Sequence, residues 1–578
     1  MHDGTSPASD SFFSETVSDD DLWSSAFLDE RFPTPVSPLG WSLIRDAFER
    51  LALREPLAFL GHPEAERLGR TRLWRGHPYV PVAALASMYK LLPDWLLPDD
   101  ARRYFPEGDV SQRRAAPYPP SGFASHLWRA ALGTVVREAG NASPWHNHRR
   151  WRALRQQLED GVAATEASLA RAQTEADLLQ AIAGLRAASE QLLAVHRWSL
   201  THADLWFSAL RRLGHRWLGP NWQSLVVRLV RGAENVTAAL DGELRAIAQV
   251  ARESPGGRAA LAEAADLADL QLRLVAVAEG NCLWQGINQF LRRYGHRSYS
   301  LDIYHPGFAA DPRQVYTLVT ALAAEPEPGP EHDFEPADLP LTFWQRPWFS
   351  LLLGLSRRYL ALREEQRFVW QRLLALERSA YLRLGDLLQA LGQLDQGLDV
   401  LFLTADEVER LCAEDAMPLA ARLARERRCE FESLTNAESS DAGESYTAFL
   451  RGNLPLAVAA TLPANTLRGT PVSAGVAVGP VRVVHQASEI GLVRGGEVLV
   501  APGVDPAWTP VFGKIVALVT ESGGQLSHPA VVAREYGLPA VLAVAGATHR
   551  LATGDTVRVD GATGTVTRLA PSLAGQDV

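Results

Sequence analysis

Residues 520–541 read TESGGQLSHPAVVAREYGLPAV, and the local structure of the C-terminal part of the chain can be predicted from this stretch. A run of apolar, mainly β-branched residues precedes two glycines, and a segment of helix-forming residues follows them. Proline directly after His528 is typical of a first helical turn, and Gly537 is typical of a helix end. The pattern therefore predicts a strand, a turn at Gly523 and Gly524, and a helix with His528 at its N-terminus.

A histidine at a helix N-terminus is in a favourable place for phosphoryl chemistry. Free backbone amides and the positive end of the helix dipole both favour added negative charge there. Neutral imidazole keeps a lone pair near pH 7 and can act as a nucleophile. A phosphoryl group on His528 would be stabilised there, with Gly523, Gly524 and Ser527 in the loop around the phosphate. Without further information, a helix-capping or core role is the alternative for such a histidine.

The sequence on both sides of this stretch indicates a small domain of strands and helices. Val-rich runs separated by glycines predict strands at 476–485, 497–501, 515–520 and 556–560. We place this domain at 469–570, after a small-residue linker at 457–468 and before a short tail at 571–578.

The larger part of the chain, residues 21–456, shows apolar residues at the three- and four-residue spacing of helices. Residues 1–20 are rich in Ser, Asp and Gly and predict a disordered tail. The expected fold class is multidomain α plus α/β: a large all-helical domain followed by a small β/β/α domain.

Composition excludes several classes of function. The net charge of -10 gives no reason to expect nucleic acid as a partner. Neither a signal peptide nor an apolar run of about 18 residues occurs, so we expect no membrane association and a cytoplasmic location. The three cysteines lack CxxC spacing, so we expect no metal site.

The motif around His528 and its flanks resemble a known family. GTPVSAGVAVGPVRVV (469–484), VDPAWTP (504–510) and GDTVRVDGATGTV (554–566) surround it. Together they resemble the swivelling phosphohistidine domain of phosphoenolpyruvate synthase, pyruvate phosphate dikinase and rifampin phosphotransferase. The resemblance implies that His528 is the phosphorylated residue. Glu521, where the family often has Asp, is a mild departure.

The helical region resembles the substrate domain of the rifampin phosphotransferases. The similar segments are DERFPTPVSPLGWSL (29–43), RRYGHRSYSLDIYHP (292–306) and RRYLALREEQRF (357–368). Arg363 and Arg367 lie four apart, so on a helix both guanidinium groups share one face and could hold the phosphoryl oxygens during transfer. The family usually has Lys at the second position. The alternative is a salt-bridged helix face, since two glutamates lie between the arginines.

His296, Arg297 and Asp302 form a second candidate group. His296 could supply a base, and Arg297 and Asp302 could orient a hydroxyl substrate. A buried structural network explains the same residues equally well.

The resemblance also suggests where the phosphoryl group comes from and goes. We find no counterpart of the family's ATP-grasp domain, an arrangement similar to the catalytic subunit of phenylphosphate synthase. We therefore expect a dikinase-type phosphotransferase with no cofactor bound directly, in which a separate ATP-grasp protein binds ATP and Mg²⁺. The expected acceptor is a small molecule with a hydroxyl group. The alternative is a non-catalytic phosphocarrier, or a regulatory protein whose helical domain binds another protein.

Overall fold

The structure is a computed structural model. It describes residues 11–29, 31–90, 97, 99–106, 109–111, 113, 143–219, 222–231, 236–277, 279–298, 300–324, 339–413, 419–438, 448–456, 465–485, 487–504, 506–524 and 527–569.

Helices make up most of the described chain before residue 439, as predicted. They are α1 Pro38–Phe48, α2 Glu55–Phe59, α3 Ala65–Leu68, α4 Val82–Tyr89, α5 Pro144–Arg171, α6 Glu175–Trp217, α7 Trp222–Arg231, α8 Val236–Glu253, α9 Pro255–Glu263, α10 Leu267–Leu274, α11 Gly280–Tyr294, α12 Arg313–Ala323, α13 Gln345–Ala390, α14 Ala405–Ala413 and α15 Ala420–Glu438. A π-helical turn covers Glu49–Arg54, and 3-10 segments cover Asp99–Tyr104 and Gly397–Phe402. No helix among the described residues is both long and apolar enough to cross a membrane.

Two long helices, α6 and α13, form the axis of the helical region. They have 43 and 46 residues, so each is roughly 65 to 70 Å long at a rise of about 1.5 Å per residue. Thr174 and Asp177 form a capping box that starts α6. Along α13 the buried side chains recur every three or four residues, and this stripe packs along α6.

The two ends of the helical region meet in a small five-stranded sheet that the sequence patterns do not predict. Its strands are β1 Leu22–Ser24, β2 Arg72–Trp74, β3 His77–Pro81, β4 Phe449–Arg451 and β5 Leu454–Pro455, in the order β2-β3-β1-β4-β5. β1 pairs antiparallel with both β3 and β4, which places Trp23 opposite Leu450. Strands of two to five residues are too short to show an alternating pattern, so 21–456 is not all helical as predicted.

Residues 11–20 pack against the fold, which differs from the predicted disordered tail at 1–20. Phe13 is fully buried, and its ring centroid lies 6.0 Å from that of Phe431. The amide of Val17 donates a hydrogen bond to Oδ1 of Asn453 at 2.9 Å. The apolar area of Phe13 offsets the polar composition of this segment. The first half of the predicted tail lies outside the described residues.

The C-terminal domain is built on an eight-stranded mixed sheet. Its strands are β6 Thr466–Arg468, β7 Thr470–Ser473, β8 Val476–Val483, β9 Val498–Ala501, β10 Ala517–Thr520, β11 Ala540–Leu542, β12 Thr556–Asp560 and β13 Thr565–Arg568, in the order β6-β13-β12-β8-β9-β10-β11-β7. The strands β8 to β11 are parallel, and β9 and β10 are buried along their whole length. The helices α16 His528–Glu535 and α17 Ala547–Arg550 and the 3-10 segments Ala487–Leu492 and Pro506–Gly513 connect the strands.

The four predicted strands are confirmed to within two residues at each end. β6 begins at Thr466, inside the interval 457–468 that was predicted as a linker, and it pairs with β13. The sheet therefore starts earlier in the chain than predicted. Residues 457–464 and the predicted tail 571–578 lie outside the described residues.

A shared apolar core joins the C-terminal domain to the helical region. Along β9, Leu499 and Ala501 face a core that includes side chains of α8, α11 and α12. Val498 and Val500 point to the opposite side, into a core that belongs to the C-terminal domain alone. In addition, α16 packs on α7. The helix that begins at His528 is thus docked on the helical region.

Candidate functional site

His528 is the first residue of α16, in agreement with its predicted place at a helix N-terminus. Ser527 is the N-cap: its hydroxyl accepts a hydrogen bond from the amide of Ala530 at 3.4 Å and donates one to the carbonyl of Gly524 at 2.6 Å. The first amides of a helix have no intrahelical acceptors, so they can bind an anion. Ser527 thus fixes both the start of α16 and the loop before it.

The two glycines of the loop have different roles. Gly523 has a φ of +105°, in the left-handed region, and a Cβ atom there would lie 3.2 Å from Oγ of Ser527 and 3.3 Å from Cδ1 of Leu542. Any other residue at this position would strain the loop. Gly524 contributes its carbonyl, which accepts from both the amide and the hydroxyl of Ser527, at 3.1 and 2.6 Å.

Polar contacts fix the beginning of the loop to the rest of the domain. The amide and the hydroxyl of Ser522 both donate to the carbonyl of Pro502, at 2.9 and 2.8 Å. The carboxylate of Glu521 accepts from the amide and the hydroxyl of Thr548, at 2.7 and 2.6 Å. The departure from Asp at this position therefore has a structural use, because Glu521 ties the loop to α17.

A cluster of positive charge lies in the helical region around α13. Arg363 is 8% exposed, and its Nε is 4.0 Å from a carboxylate oxygen of Glu364. Arg367 is half-buried, and its Nε has no hydrogen-bond partner among the described residues. One histidine, His196 of α6, is affected by both of these arginines and by Arg31, which precedes α1. The positive charge of each arginine lowers the pKa of His196.

His196 is buried and lies in a hydrogen-bonded chain between α5, α6 and α13. Burial is the main cause that lowers its pKa, to about 4, and the charges of the three arginines lower it further, against a hydrogen bond with Gln366. Its Nδ1 is 2.9 Å from Oε1 of Gln366, whose Nε2 donates to Oγ of Ser199 at 3.0 Å. The hydroxyl of Ser199 in turn donates to Oδ1 of Asn147 at 3.1 Å.

Sequence analysis missed His196. The signal was present, because His196 and Ser199 interrupt the buried, otherwise largely apolar stripe of α6, and buried polar groups need hydrogen-bond partners. Such a pattern does not distinguish a ligand-binding histidine from a structural one without its partner Gln366, which is 170 positions away.

The loop that leads to His528 lies close to the segment that contains Arg31. A Cβ atom on Gly503 would lie 2.8 Å from Oγ of Ser522 and 3.3 Å from Cβ of Pro33. Gly503, which follows β9, thus lies close both to Ser522 and to Pro33, two residues after Arg31. The glycine loop, which contains Gly523 and Gly524, therefore lies on the same side of the molecule as Arg31. Arg31 belongs with Arg363 and Arg367 to the arginine cluster around His196.

Polar contacts at the other end of α16 support the same docking. Arg245 of α8 donates a hydrogen bond to the hydroxyl of Tyr536, and it also pairs with Asp241 at 2.8 Å. The guanidinium of Arg534 lies 5.9 Å from the ring centroid of Phe207, on α6. The C-terminal end of α16 therefore contacts both α8 and α6 of the helical region.

Arg297 and Asp302, predicted to bind substrate, are engaged within the protein. The guanidinium of Arg297 donates to Oε1 of Gln371 at 2.9 Å. The carboxylate of Asp302 accepts from the amide and hydroxyl of Ser37, at 2.6 and 2.7 Å, and from the amide of Tyr304 at 2.9 Å. Burial nevertheless raises the pKa of Asp302 to about 6. These contacts agree with the structural alternative, and their substrate-binding role stays a prediction.

His296 packs against a different face of α13 from the one that His196 contacts. Its ring meets that of Phe368 edge to face, with centroids 4.4 Å apart, and burial lowers its pKa to about 3. Gln366 and Phe368 are two residues apart, so they project from α13 about 200° apart. His296 instead lines two adjoining cavities of about 500 and 670 Å³. The structure thus brings Arg363 and Arg367 together with His196 rather than with His296.

Comparisons with known families match two parts of the chain. Residues 493–564, which include His528, match the family described as PEP-utilising enzyme, mobile domain. Residues 193–364, which include His196 and Arg363, match the family described as rifampicin phosphotransferase fourth domain.

Individual relatives agree with these matches. A rifampicin phosphotransferase of Streptomyces sviceus is 30% identical over 353 residues, which cover 57% of this chain and 39% of the relative. The uncharacterized phosphotransferase YvkC of Bacillus subtilis is 34% identical over 197 residues, 33% of this chain and 23% of the relative. A rifampicin phosphotransferase of Bacillus cereus is 28% identical over 372 residues, 60% of this chain and 41% of the relative. The chain matches less than half the length of each of these relatives. It is homologous to the rifampicin phosphotransferases and to YvkC, and it contains the mobile domain of the PEP-utilising enzymes.

Proposed function

We propose that this chain is a dikinase-type phosphotransferase in which His528 carries a phosphoryl group to the hydroxyl group of a small molecule bound in the helical region. The observation that supports the proposal most directly is that Gly503 lies close both to Ser522, which precedes the glycine loop, and to Pro33. It places the loop of a helix N-terminal histidine beside a segment whose Arg31 belongs to a three-arginine cluster. Guanidinium groups stabilise the charge of a transferring phosphoryl group.

The donor in this proposal is an ATP-grasp protein distinct from these 578 residues. It binds ATP and Mg²⁺ and phosphorylates His528: the β-phosphoryl group is retained on the histidine, water takes the γ-phosphoryl group as inorganic phosphate, and AMP is released. The chain has only two lysines, Lys90 and Lys514, and neither lies in a GxxxxGK[ST] phosphate-binding loop. Backbone amides and arginines must therefore do most of its phosphate binding.

The donor half-reaction is tested with ATP labelled at the β-phosphate. We expect the chain alone to remain unlabelled, and a separate ATP-grasp protein from the same organism to label His528 and release AMP. His528→Ala should abolish the acid-labile, base-stable label while the protein keeps its unfolding temperature. Stoichiometric labelling without the second protein would contradict the proposed donor, and a histidine label that persists in His528→Ala would contradict the carrier.

The acceptor half-reaction is tested with rifampicin as the first probe, because two of the relatives are named for it. The chain is phosphorylated chemically with phosphoramidate, which bypasses the donor, and the transfer of label to rifampicin is measured. Label on rifampicin with the wild type, and none with His528→Ala, would support the enzyme. Phosphorylated His528 that passes its label to a protein and to no hydroxyl compound would favour the regulatory alternative.

A further inference from the structure

The hydrogen-bond chain behind His196 fixes which ring nitrogen carries the proton. The hydroxyl of Ser199 has two acceptors in reach, Oδ1 of Asn147 at 3.1 Å and the carbonyl of Val195 at 3.3 Å, so its proton points to one of these and its oxygen accepts from the amide nitrogen of Gln366. This orients the Gln366 side chain with its oxygen toward Nδ1 of His196, at 2.9 Å. An amide oxygen only accepts, so Nδ1 must be the protonated nitrogen.

The other nitrogen of the ring, Nε2, then has a free lone pair. It has no hydrogen-bond partner among the described residues, and the residue keeps 7% of its surface exposed. A histidine held in one tautomer by a hydrogen bond at Nδ1, with an unpaired lone pair on Nε2, has the arrangement of a general base. The ring is also packed near the indole of Trp370, with centroids 6.3 Å apart, which limits its motion.

The charged groups around His196 suit this role. Burial is the main cause that disfavours the imidazolium form, and the charges of Arg363 and Arg367 on α13 and of Arg31 in the N-terminal segment add to it. His196 therefore stays neutral, and its lone pair available, across the physiological pH range. A bound phosphoryl group would offset the three positive charges, so His196 becomes more basic when the reaction is ready to proceed.

We infer that His196 is the general base of the acceptor half-reaction, which takes the proton from the hydroxyl group that attacks the phosphoryl group on His528. This inference rests on the proposed function. The bond between phosphorus and the His528 ring nitrogen breaks, and its electron pair stays on that ring, which takes up a proton from water. A bond forms between phosphorus and the acceptor oxygen. The hydroxyl proton moves to Nε2 of His196 and then to solvent, so no net proton is gained or lost.

The test uses the full chain phosphorylated with phosphoramidate, and it follows the loss of phosphate from the His528 peptide by mass spectrometry. Two acceptors are compared, water alone and rifampicin. His196→Gln should slow transfer to both by about 100-fold or more, a usual range for loss of a general base. Phosphorylation of His528 by phosphoramidate should be unchanged. The matched control is His146→Gln, which alters an exposed histidine on α5.

A second variant separates catalysis from a structural role. Gln366→Glu places a carboxylate against Nδ1 and should raise the pKa of His196 from about 4 toward neutrality. Because only neutral imidazole accepts a proton, the transfer rate of this variant should fall with decreasing pH between about 8 and 6, where the wild type should be flat. Unfolding temperatures of all variants are measured alongside.

Each outcome decides the matter. Equal rates and pH profiles for His196→Gln and His146→Gln would overturn the assignment. An unshifted profile for a folded Gln366→Glu would do the same. If rifampicin receives no phosphate but hydrolysis still depends on His196, the base is supported and only the acceptor class of the proposed function fails.

Discussion

Arg363 and Arg367 are the residues whose charge the proposal uses most directly. Changing either to Ala should slow transfer from phosphorylated His528 to an acceptor by roughly ten- to a thousand-fold, or about 1.4 to 4 kcal/mol of transition-state stabilisation. Arg367→Lys should lose less, because it keeps the charge and gives up the planar fork. The rate is measured after chemical phosphorylation, with the exposed Arg422→Ala as control. Unchanged transfer in both variants would place these arginines outside the reaction.

Ser527 should affect stability and phosphorylation together, because it caps α16 and holds Gly524. Ser527→Ala should lower the free energy of unfolding by about 0.5 to 2 kcal/mol, as is usual for loss of an N-cap hydroxyl, and Ser527→Gly by only a few tenths. Urea denaturation measures the free energy of unfolding. The rate at which phosphoramidate labels His528 shows whether the loop still supports phosphorylation. If the Ala and Gly variants are equally stable, the Ser527 hydroxyl does not stabilise the protein by capping α16.

At the scale of single residues, the sequence indicates the proposed carrier histidine and not the proposed base. The signals for His528 are local, since Gly523, Ser527 and Gly537 lie within ten residues of it. The environment of His196 depends on Gln366 and Arg31, which are distant in sequence and meet it only after helices pack. Packing also explains why Asp302 turns out to hold the start of α1 through Ser37.

Among the elements, α13 contains a buried acid that should make stability depend on pH. Glu377 is 2% exposed, its Oε1 has no partner among the described residues, and burial raises its pKa to about 8. The native state therefore keeps a proton that the unfolded chain releases above about pH 4.5, so stability falls as the pH rises from about 4.5 to 8.

Glu377→Gln removes this titration and should stabilise the protein by about 1 to 4 kcal/mol at pH 7.5, with little difference at pH 4.5. Thermal unfolding at the two pH values measures the effect, and the exposed Glu426→Gln serves as control. A Glu377→Gln variant that is no more stable than wild type at pH 7.5 would show that the carboxyl is solvated or paired.

The elements that the sequence predicts well are those with their own periodicity. The long helices and the strands β8, β9, β10 and β12 repeat their apolar residues often enough to be recognised. The short strands β1, β4 and β11 have three residues each, and they exist because a distant partner pairs with them. Their formation is a property of the tertiary fold rather than of the local sequence.

For the whole molecule, the proposed reaction requires the C-terminal domain to leave the helical region and return. Tyr536, which bonds to Arg245, is one of the contacts that hold the docked state. Tyr536→Phe removes the hydroxyl and keeps the ring, whereas Tyr536→Ala removes both. We expect the docked population to decrease in the order wild type, Phe, Ala.

The consequence should be opposite for the two half-reactions. Undocking should slow transfer from His528 to an acceptor and speed phosphorylation by the donor protein, because the helix N-terminus becomes accessible more often. Fluorescence energy transfer between labels on α8 and β13 reports the docking. Equal slowing of both half-reactions would indicate damage to the C-terminal domain itself rather than a shift in docking.

The small sheet that joins the two ends of the helical region has a consequence for how the protein is made. Val17 and Asn453, which bond to each other beside this sheet, are 436 positions apart. On the ribosome, β1 emerges early and must wait for β4 before its outer edge is paired. Contacts of such long sequence separation slow folding and leave strand edges exposed meanwhile. A nascent chain arrested before residue 448 should therefore expose β1 to chaperones, and the sheet can be completed only after β4 itself has left the ribosome.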